Sequence, residues 1–317
     1  MLFAVISDIH GNIHALEAIL NDAARDPIDG YIFAGDYCSY FPYPNEVIDT
    51  IKTIRHATVI HGNEEGYLFE YGRQDEETWT DGQFQSHYWC YRAIDAENHK
   101  YLRKLPKMAV LQEGDTTITV THSSAEIYGD VEYREFSSTK IAQKYRHDPS
   151  YSRQKLLSHI QEYIHQSGDF HSAVRSLPGG VYIFGHTHVQ WHAQYEDKTF
   201  INPGSCGLPL DGTPGAPYTL LCIENDLLQI EERRVPYDID RLISKYRRSS
   251  LYEAAPVWSR VIMQEMAAEF EVAQLFLQSV NDYANKIGDP IRPFTARTWT
   301  QAYDYWANNT PDLLRFS

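Results

Sequence analysis

Short apolar runs alternate with amphipathic stretches through the first sixty residues. Strands are predicted at 2–7, 31–34 and 57–60, and helices between them at 13–25 and 44–55. Pro44 suits the first turn of the second helix. This alternation favours a parallel sheet covered by helices.

The middle of the chain adds further strand patterns around one long helix. Strands are predicted at 116–121 and 181–184, a helix at 150–166, and antiparallel strands within 190–201 and 217–235. A turn at 224–226 connects two of the antiparallel strands.

The pattern changes after Pro236, where strand signals give way to helical ones. One helical stretch covers 259–280, with apolar side chains on one face. We therefore expect an α/β domain over 1–237 and a helical C-terminal extension over 238–317.

Composition is that of a globular protein, with 43% hydrophobic and 22% charged residues. No apolar run approaches the roughly 18 residues that cross a bilayer. The first residues lack the basic region and cleavage site of a signal peptide, so we expect a cytoplasmic protein. The net charge of −15 makes nucleic acid an unlikely generic partner, because phosphate backbones attract basic surfaces. The four cysteines form no CxxC pair, which disfavours a structural zinc site or a disulfide framework.

Five polar motifs follow predicted strands. They are Asp8-Ile9-His10, Gly35-Asp36, Gly62-Asn63, Thr121-His122 and Gly185-His186-Thr187-His188. Ligands of open α/β sheets bind beyond the carboxyl ends of the strands, so these motifs can meet in one crevice. Nitrogen and oxygen donors without thiolates suit manganese, iron or zinc. Seven donors exceed what one ion takes from protein, and a bridging Asp36 would serve two.

With these ordered motifs, the chain resembles the calcineurin-like metallophosphoesterases, in particular their small bacterial and archaeal branch. The resemblance runs from Leu2 to about Asp238 and includes the segments 7–12, 43–46, 201–205 and 237–238. It implies a four-layer α/β/β/α sandwich with a metal site at one edge. The unit 1–237 would then be the catalytic domain.

The resemblance also implies a ligand set for two transition metal ions, with manganese or iron favoured over zinc. One ion would be held by Asp8, His10, Asp36 and His188, and the other by Asp36, Asn63, His122 and His186. Asn12 would support the site from behind, and residues 202–205 would form a tight loop beneath it.

Taken singly, each of these residues also has a structural explanation. An aspartate after a strand is commonly a helix cap or turn residue, and a lone histidine is commonly a surface residue. The aromatic stretch 37–43 allows two interpretations, a wall of the cleft or a packed loop, and we slightly prefer the packed loop.

Two positions depart from the family pattern. Glu64 stands where relatives commonly have a histidine that protonates the leaving oxygen, and Leu210 stands where many have an arginine near the substrate. A glutamate beside two cations is mostly ionised and is a poor acid. Glu64 and His122 are nevertheless the candidate catalytic residues, His122 by stabilising the phosphoryl oxygens.

The resulting hypothesis is a phosphoesterase that cleaves a phosphodiester, phosphomonoester or phosphoanhydride through a metal-bound hydroxide. The expected partner is a small phosphorylated substrate, such as a nucleotide, with no membrane contact; a homo-oligomer is an open option. An alternative activity is the asymmetric hydrolysis of dinucleoside polyphosphates such as diadenosine tetraphosphate. A rival of another class is a catalytically weak metal-binding scaffold.

Overall fold

The computed structural model describes residues 1–129, 131, 133–225 and 227–310, and within these residues ten strands form two five-stranded sheets. The strands are β1 (Leu2–Ile6), β2 (Gly30–Phe33), β3 (Ala57–Val59), β4 (Met108–Glu113), β5 (Thr116–Thr121), β6 (Gly180–Ile183), β7 (Gln190–Tyr195), β8 (Lys198–Pro203), β9 (Ala216–Glu224) and β10 (Leu227–Val235).

Helices connect the strands and make up the C-terminal region. They are α1 (Ile13–Ala23), α2 (Pro44–Thr53), α3 (Asn63–Tyr71), α4 (Gln85–Ala93), α5 (Ala96–Leu102), α6 (Tyr133–Phe136), α7 (Ser138–Tyr145), α8 (Arg153–Gln166), α9 (Gly168–Val174), α10 (Ile239–Tyr246), α11 (Ser250–Ala254), α12 (Pro256–Ala268), α13 (Ala273–Ile287) and α14 (Ala296–Asn309). Two 3₁₀ turns lie at Glu76–Thr78 and Ser124–Glu126.

Each sheet combines two parallel and two antiparallel strand pairings. The first has the order β10-β9-β1-β2-β3, in which β1, β2 and β3 are parallel. The second has the order β4-β5-β6-β8-β7, in which β5, β6 and β8 are parallel. The parallel strands of both sheets end where the five polar motifs begin, so the topology gathers these motifs at one edge.

Three apolar clusters separate four layers. The middle cluster joins the two sheets, with Val5 and Ile32 from one and Val120 and Ile183 from the other. A second cluster packs α1, α2, α4 and α5 on the outer face of the first sheet. A third packs α7, α8 and α9 on the outer face of the second. The predicted α/β/β/α sandwich is confirmed.

The C-terminal region is helical, as predicted, although residues 311–317 lie outside the described chain. The prediction of a single helix over 259–280 is wrong in one respect, because two helices, α12 and α13, cover this stretch. Glu269 adopts a left-handed conformation (φ 58°) and ends α12. The Glu265 carboxylate then accepts the amide of Ala273 at the start of α13, 2.6 Å away.

The other strands and helices that the sequence predicted agree with the structure to within about three residues, whereas β4, α3 to α7 and α9 were not predicted. The stretch 190–201 contains β7 and the greater part of β8, and 217–235 covers β9 and β10. Asn225 of the predicted turn is left-handed (φ 50°), whereas Asp226 lies outside the described residues. Among the described helices, none has the length and apolar character to cross a membrane.

Candidate metal centre

Backbone hydrogen bonds connect the loops that follow the strands. The amide of Asp8, after β1, donates to the carbonyl of Gly35, after β2, at 3.0 Å. The amide of Gly185, after β6, donates to the carbonyl of His122, after β5, at 2.9 Å. Across the two sheets, the amide of His186 donates to both carboxylate oxygens of Asp8 at 3.1 Å. All five motifs therefore meet at one edge of the sandwich.

Five of the seven candidate ligands have a left-handed backbone. They are Asp8 (φ 53°), His10 (φ 53°), Asp36 (φ 60°), His186 (φ 66°) and His188 (φ 58°). This region is uncommon for residues other than glycine, although Asp and His tolerate it better than most. Such conformations persist only where surrounding structure enforces them, and they cluster at functional sites.

A first group of donor atoms consists of Asp8, His10 and His188. His188 Nε2 lies 3.4 Å from Asp8 Oδ1. His10 Nε2 lies 3.9 Å from the same oxygen and 3.1 Å from His188 Nε2. Asp36, the bridging candidate, is at the edge of this group, with its Oδ2 3.9 Å from His10 Nε2.

The other nitrogen of each ring is tied to a backbone carbonyl. His10 Nδ1 lies 3.3 Å from Cys38 O, and His188 Nδ1 lies 2.8 Å from Leu208 O. A carbonyl can only accept, so both Nδ1 atoms carry the hydrogen and both Nε2 atoms present lone pairs. Burial and the neighbouring His188 lower the pKa of His10 to about 3, so this ring stays neutral. The lone pairs of these two Nε2 atoms repel each other at 3.1 Å, and a metal cation bound by both would remove the repulsion.

A second group consists of Asp8, Asp36 and His122, with Asn63 beside it. His122 Nδ1 donates to Ala34 O at 2.7 Å, which aims Nε2 at Asn63 Oδ1 (2.9 Å) and Asp36 Oδ2 (3.2 Å). Burial alone would lower the pKa of His122, but Asp36 and Asp8 outweigh it and raise the pKa to about 10. The carboxylates of Asp36 and Asp8 therefore favour a positive charge beside His122, at the position proposed for a metal ion.

His186 lines the same cleft as both groups. Its ring centroid lies 5.3 Å from that of His122. Burial and the neighbouring His122 lower its pKa to about 4, which keeps the imidazole neutral and able to coordinate. Five of the seven candidate ligands therefore line one cleft, and the other two, Asp8 and His122, lie directly against them.

A supporting layer holds this arrangement from beneath. Asn202 Nδ2 donates to Gly185 O at 2.7 Å, and its Oδ1 accepts the amide of Gly204 at 3.0 Å. Ser205 Oγ donates to the carbonyl of Asp8 at 2.7 Å. Asn12 Nδ2 donates to Gly207 O at 2.9 Å. These buried bonds lock the loops whose left-handed residues carry the donor atoms.

Glu65 is a positioning residue that the sequence analysis did not identify. It is fully buried, and its carboxylate accepts the amides of Gly62 (2.9 Å), Asp36 (3.1 Å) and Tyr37 (2.8 Å). This carboxylate therefore joins the loop after β2 to the start of α3. A glutamate two residues after the candidate ligand Asn63, in the first turn of a helix, was the available signal.

Glu64 faces the cleft but also has its own partner. Its Oε2 lies 3.1 Å from His87 Nε2 on α4, and Tyr40 donates to its Oε1 at 3.4 Å. Burial would raise the pKa of Glu64, but His87 outweighs burial and lowers the pKa to about 2. The carboxyl group is therefore ionised and has no proton to give.

The aromatic stretch 37–43 combines both interpretations. Tyr37 is fully buried, and its hydroxyl donates within the packed loop, with Ile60 O 2.6 Å away. Tyr40 instead lines the cleft and stacks on His10, with ring centroids 4.3 Å apart. Leu210, at the position of the family arginine, is also buried in the cleft wall.

Comparison with known proteins agrees with this geometry. The chain is 27% identical over 267 residues to the uncharacterized protein MJ0912 of Methanocaldococcus jannaschii. The alignment covers 80% of this chain and 94% of that protein. A metallophosphoesterase structure from Sphaerobacter thermophilus superposes with a TM-score of 0.58 at 23% identity, over 85% of this chain and all of that one. The hypothetical protein PH1004 of Pyrococcus horikoshii superposes with a TM-score of 0.57 at 20% identity, over 81% of this chain and 97% of that one.

A family model decides the assignment. The calcineurin-like phosphoesterase superfamily domain matches residues 1–226, which is more than two thirds of the chain. The chain therefore belongs to the calcineurin-like phosphoesterase superfamily, and it is a metal-dependent phosphoesterase.

Proposed function

We propose that this enzyme hydrolyses a small phosphate ester or anhydride at a site for two transition metal ions. The proposed ligands are Asp8, His10, Asp36 and His188 for one ion, and Asp36, Asn63, His122 and His186 for the other. The observation that carries the proposal is the tethering of three rings through Nδ1, which points their Nε2 atoms at buried carboxylates. Donors of nitrogen and oxygen alone favour manganese or iron, with zinc as the alternative.

When bound, two such ions would supply a nucleophilic water at neutral pH and positive charge for the phosphoryl oxygens. The chain itself supplies orientation, because each tethered imidazole is fixed before substrate arrives. His122 Nδ1 already donates to Ala34 O, so His122 would act on the phosphoryl oxygens through the ion held at its Nε2, beside Asn63 and Asp36.

The surroundings of the site support a substrate with a good leaving group. None of the described residues lining the cleft is a lysine or arginine, so the metals would be the main source of positive charge there. The ionised Glu64 cannot donate a proton to the leaving oxygen. Phosphoanhydrides and aryl esters need little protonation, which keeps dinucleoside polyphosphate hydrolysis as a second candidate.

Turnover of an aryl phosphate tests this proposal against the scaffold alternative. The full chain, stripped of metal and then supplied with manganese, should release the phenol and phosphate at a rate that rises with added metal. A scaffold would bind manganese without turnover. Absence of turnover on aryl monoesters, diesters and dinucleoside polyphosphates, with manganese bound, would overturn the proposal.

A further inference from the structure

The wall of the cleft opposite the candidate metal ligands comes from the C-terminal helices. Trp258 and Ile262 on α12, and Glu265, Glu271 and Gln274 around the α12–α13 junction, face the same cavity as the metal-site side chains. These residues lie beyond residue 226, where the match to the superfamily domain ends. The far wall of the cleft therefore comes from helices that follow the superfamily domain.

The cavity at the metal site is small, about 130 Å³, and opens to solvent. Ordinary ligand pockets span about 300–1,000 Å³. With the phosphate at the metal ligands, a leaving group the size of one ring with a short substituent matches this cavity. A dinucleoside polyphosphate would have to leave most of its structure outside.

The part of the cavity next to the metal site is aromatic and apolar. The Tyr40 ring stacks on His10, and the Trp258 ring meets Tyr40 edge-on with centroids 6.2 Å apart. Leu210 and Ile262 add aliphatic surface that is almost completely buried. A planar ring would fit these surfaces better than a flexible polar chain.

The remote end of the cavity carries two buried carboxylates. Glu271 Oε1 accepts the amide of Gln274 at 3.0 Å, and its Oε2 accepts Ser138 Oγ at 2.8 Å. The nearby Arg146 donates to the Glu271 carbonyl and offsets part of the charge. Burial and the adjacent Glu271 still raise the pKa of Glu265 well above its usual range. This end of the cleft is therefore short of positive charge.

We propose that α12 and the start of α13 form a leaving-group subsite for a small aryl phosphate whose ring carries an alkylammonium group remote from the phosphate. The inference rests on the proposed function and adds its substrate class. The ring lies against the aromatic surface that Tyr40 and Trp258 form together, and the ammonium group faces Glu265 and Glu271, where aromatic faces and carboxylates both stabilise a cation. A phenolate leaves without taking up a proton, so an aryl ester needs no acid on this wall.

Three substrates with similar phenolic leaving groups isolate this preference. They are 4-(2-aminoethyl)phenyl phosphate, its neutral 4-ethylphenyl analogue and the anionic 4-(2-carboxyethyl)phenyl phosphate. The kcat/KM of the full, metal-loaded chain should be about tenfold higher for the ammonium substrate than for the neutral one, which corresponds to about 1.4 kcal/mol. The anionic substrate should be the poorest.

Two variants assign the preference to the wall. Trp258→Leu and Glu271→Gln should each reduce the ammonium-to-neutral ratio several-fold, and Gln keeps acceptor and donor groups for Gln274 and Ser138. Glu253→Gln, an exposed change on α11, should leave the ratio as in wild type. Calorimetry with metal-free protein gives a readout independent of turnover, in which 4-(2-aminoethyl)phenol should bind more tightly than 3-(4-hydroxyphenyl)propionate.

The outcomes separate the two proposals. Hydrolysis of all three esters at equal efficiency, or a preference for the anionic one, would overturn the subsite and leave the phosphoesterase proposal standing. Failure to hydrolyse any of the three with metal bound would count against the proposed function itself.

Discussion

Asp36 lies between the two groups of donor atoms, within 3.2 Å of His122 Nε2 and 3.9 Å of His10 Nε2. Its other oxygen, Oδ1, accepts the amide of Glu64 at 2.9 Å. Burial raises the pKa of Asp36 to about 7, so a cation beside this carboxylate would stabilise its ionised form. The residue therefore couples the charge balance of both proposed metal positions.

Asp36→Asn tests this coupling. The amide keeps an oxygen for the Glu64 backbone but loses the charge, so kcat/KM should fall about a hundredfold or more. Bound metal should drop by at least one ion per chain, while the midpoint of denaturant unfolding for the metal-free protein should change little. His186→Ala should give the same pattern. Retention of full activity and metal content by Asp36→Asn would show that it bridges nothing.

Glu64→His tests the role of the ionised carboxylate. A histidine at this position can protonate a leaving oxygen, so it should raise hydrolysis of a simple alkyl phosphate about tenfold or more relative to a dinucleoside polyphosphate. Glu64→Gln is the matched control, since it keeps a polar partner for His87 without an acid. Equal effects of Glu64→His on both substrates, or efficient alkyl hydrolysis by wild type, would show that Glu64 does not set the leaving-group preference.

Donor residues at strand ends were predictable because five ordered motifs each place them beyond a strand. The left-handed backbone conformation of these residues was not predictable, since glycine is the only residue type that adopts it routinely. Contacts between residues that are distant in the sequence could not be predicted from it either. His87 meets Glu64 from a helix 23 residues away, and Trp258 reaches the cleft from outside the family domain.

At the scale of elements, α1 depends on Asn12 at its first turn. Asn12 Oδ1 accepts the amide of Ala15 at 3.2 Å and caps the helix. Its Nδ2 donates to Gly207 O and to the Tyr237 hydroxyl at 3.1 Å. One buried side chain thus joins α1, the loop after β8 and the segment that leads into α10.

Asn12→Ala should destabilise the fold by about 2–4 kcal/mol, because a helix cap is lost and buried polar groups lose their partner. Asn12→Asp keeps the cap acceptor but sets a second oxygen against the Gly207 carbonyl at a fully buried position, so it should also destabilise the fold. Denaturant unfolding of the metal-free proteins measures both. A loss below about 0.5 kcal/mol for the alanine variant would contradict the role of Asn12 as a shared anchor.

Periodicity predicted the elements that follow regular patterns, such as β5 over 116–121. It failed where one residue redirects the chain. The break between α12 and α13 occurs at Glu269, a residue that favours helices and yet adopts a left-handed conformation. Packing of the two helices, rather than local preference, sets this break.

At the scale of the whole molecule, a shared apolar cluster joins the C-terminal region to the α/β sandwich. Phe41, Leu208 and Leu210 pack with residues of α10 and α12, and all three are almost completely buried. A second cluster, around Phe276 and Trp299, belongs to the C-terminal helices alone. The division into a catalytic domain over 1–237 and an extension over 238–317 stays a proposal, with a substantial interface between the two.

Truncation after residue 237 tests that division. Exposure of the shared cluster should lower the unfolding temperature, and loss of Trp258 and Ile262 should open the cleft to larger substrates. Calorimetry and the selectivity between a small aryl phosphate and a dinucleoside polyphosphate measure the two effects. Sedimentation of both forms shows whether the extension also makes a subunit contact. An unchanged unfolding temperature and selectivity would make the extension a plain appendage.

Metal stoichiometry tests the central claim most directly. Metal-free protein would be titrated with manganese while bound metal, by elemental analysis, and aryl phosphate turnover are followed on the same samples. The account predicts saturation close to two ions per chain, with activity absent before metal is added and maximal only when both positions are filled. Full activity in the metal-free protein, or maximal activity at one ion per chain, would contradict it.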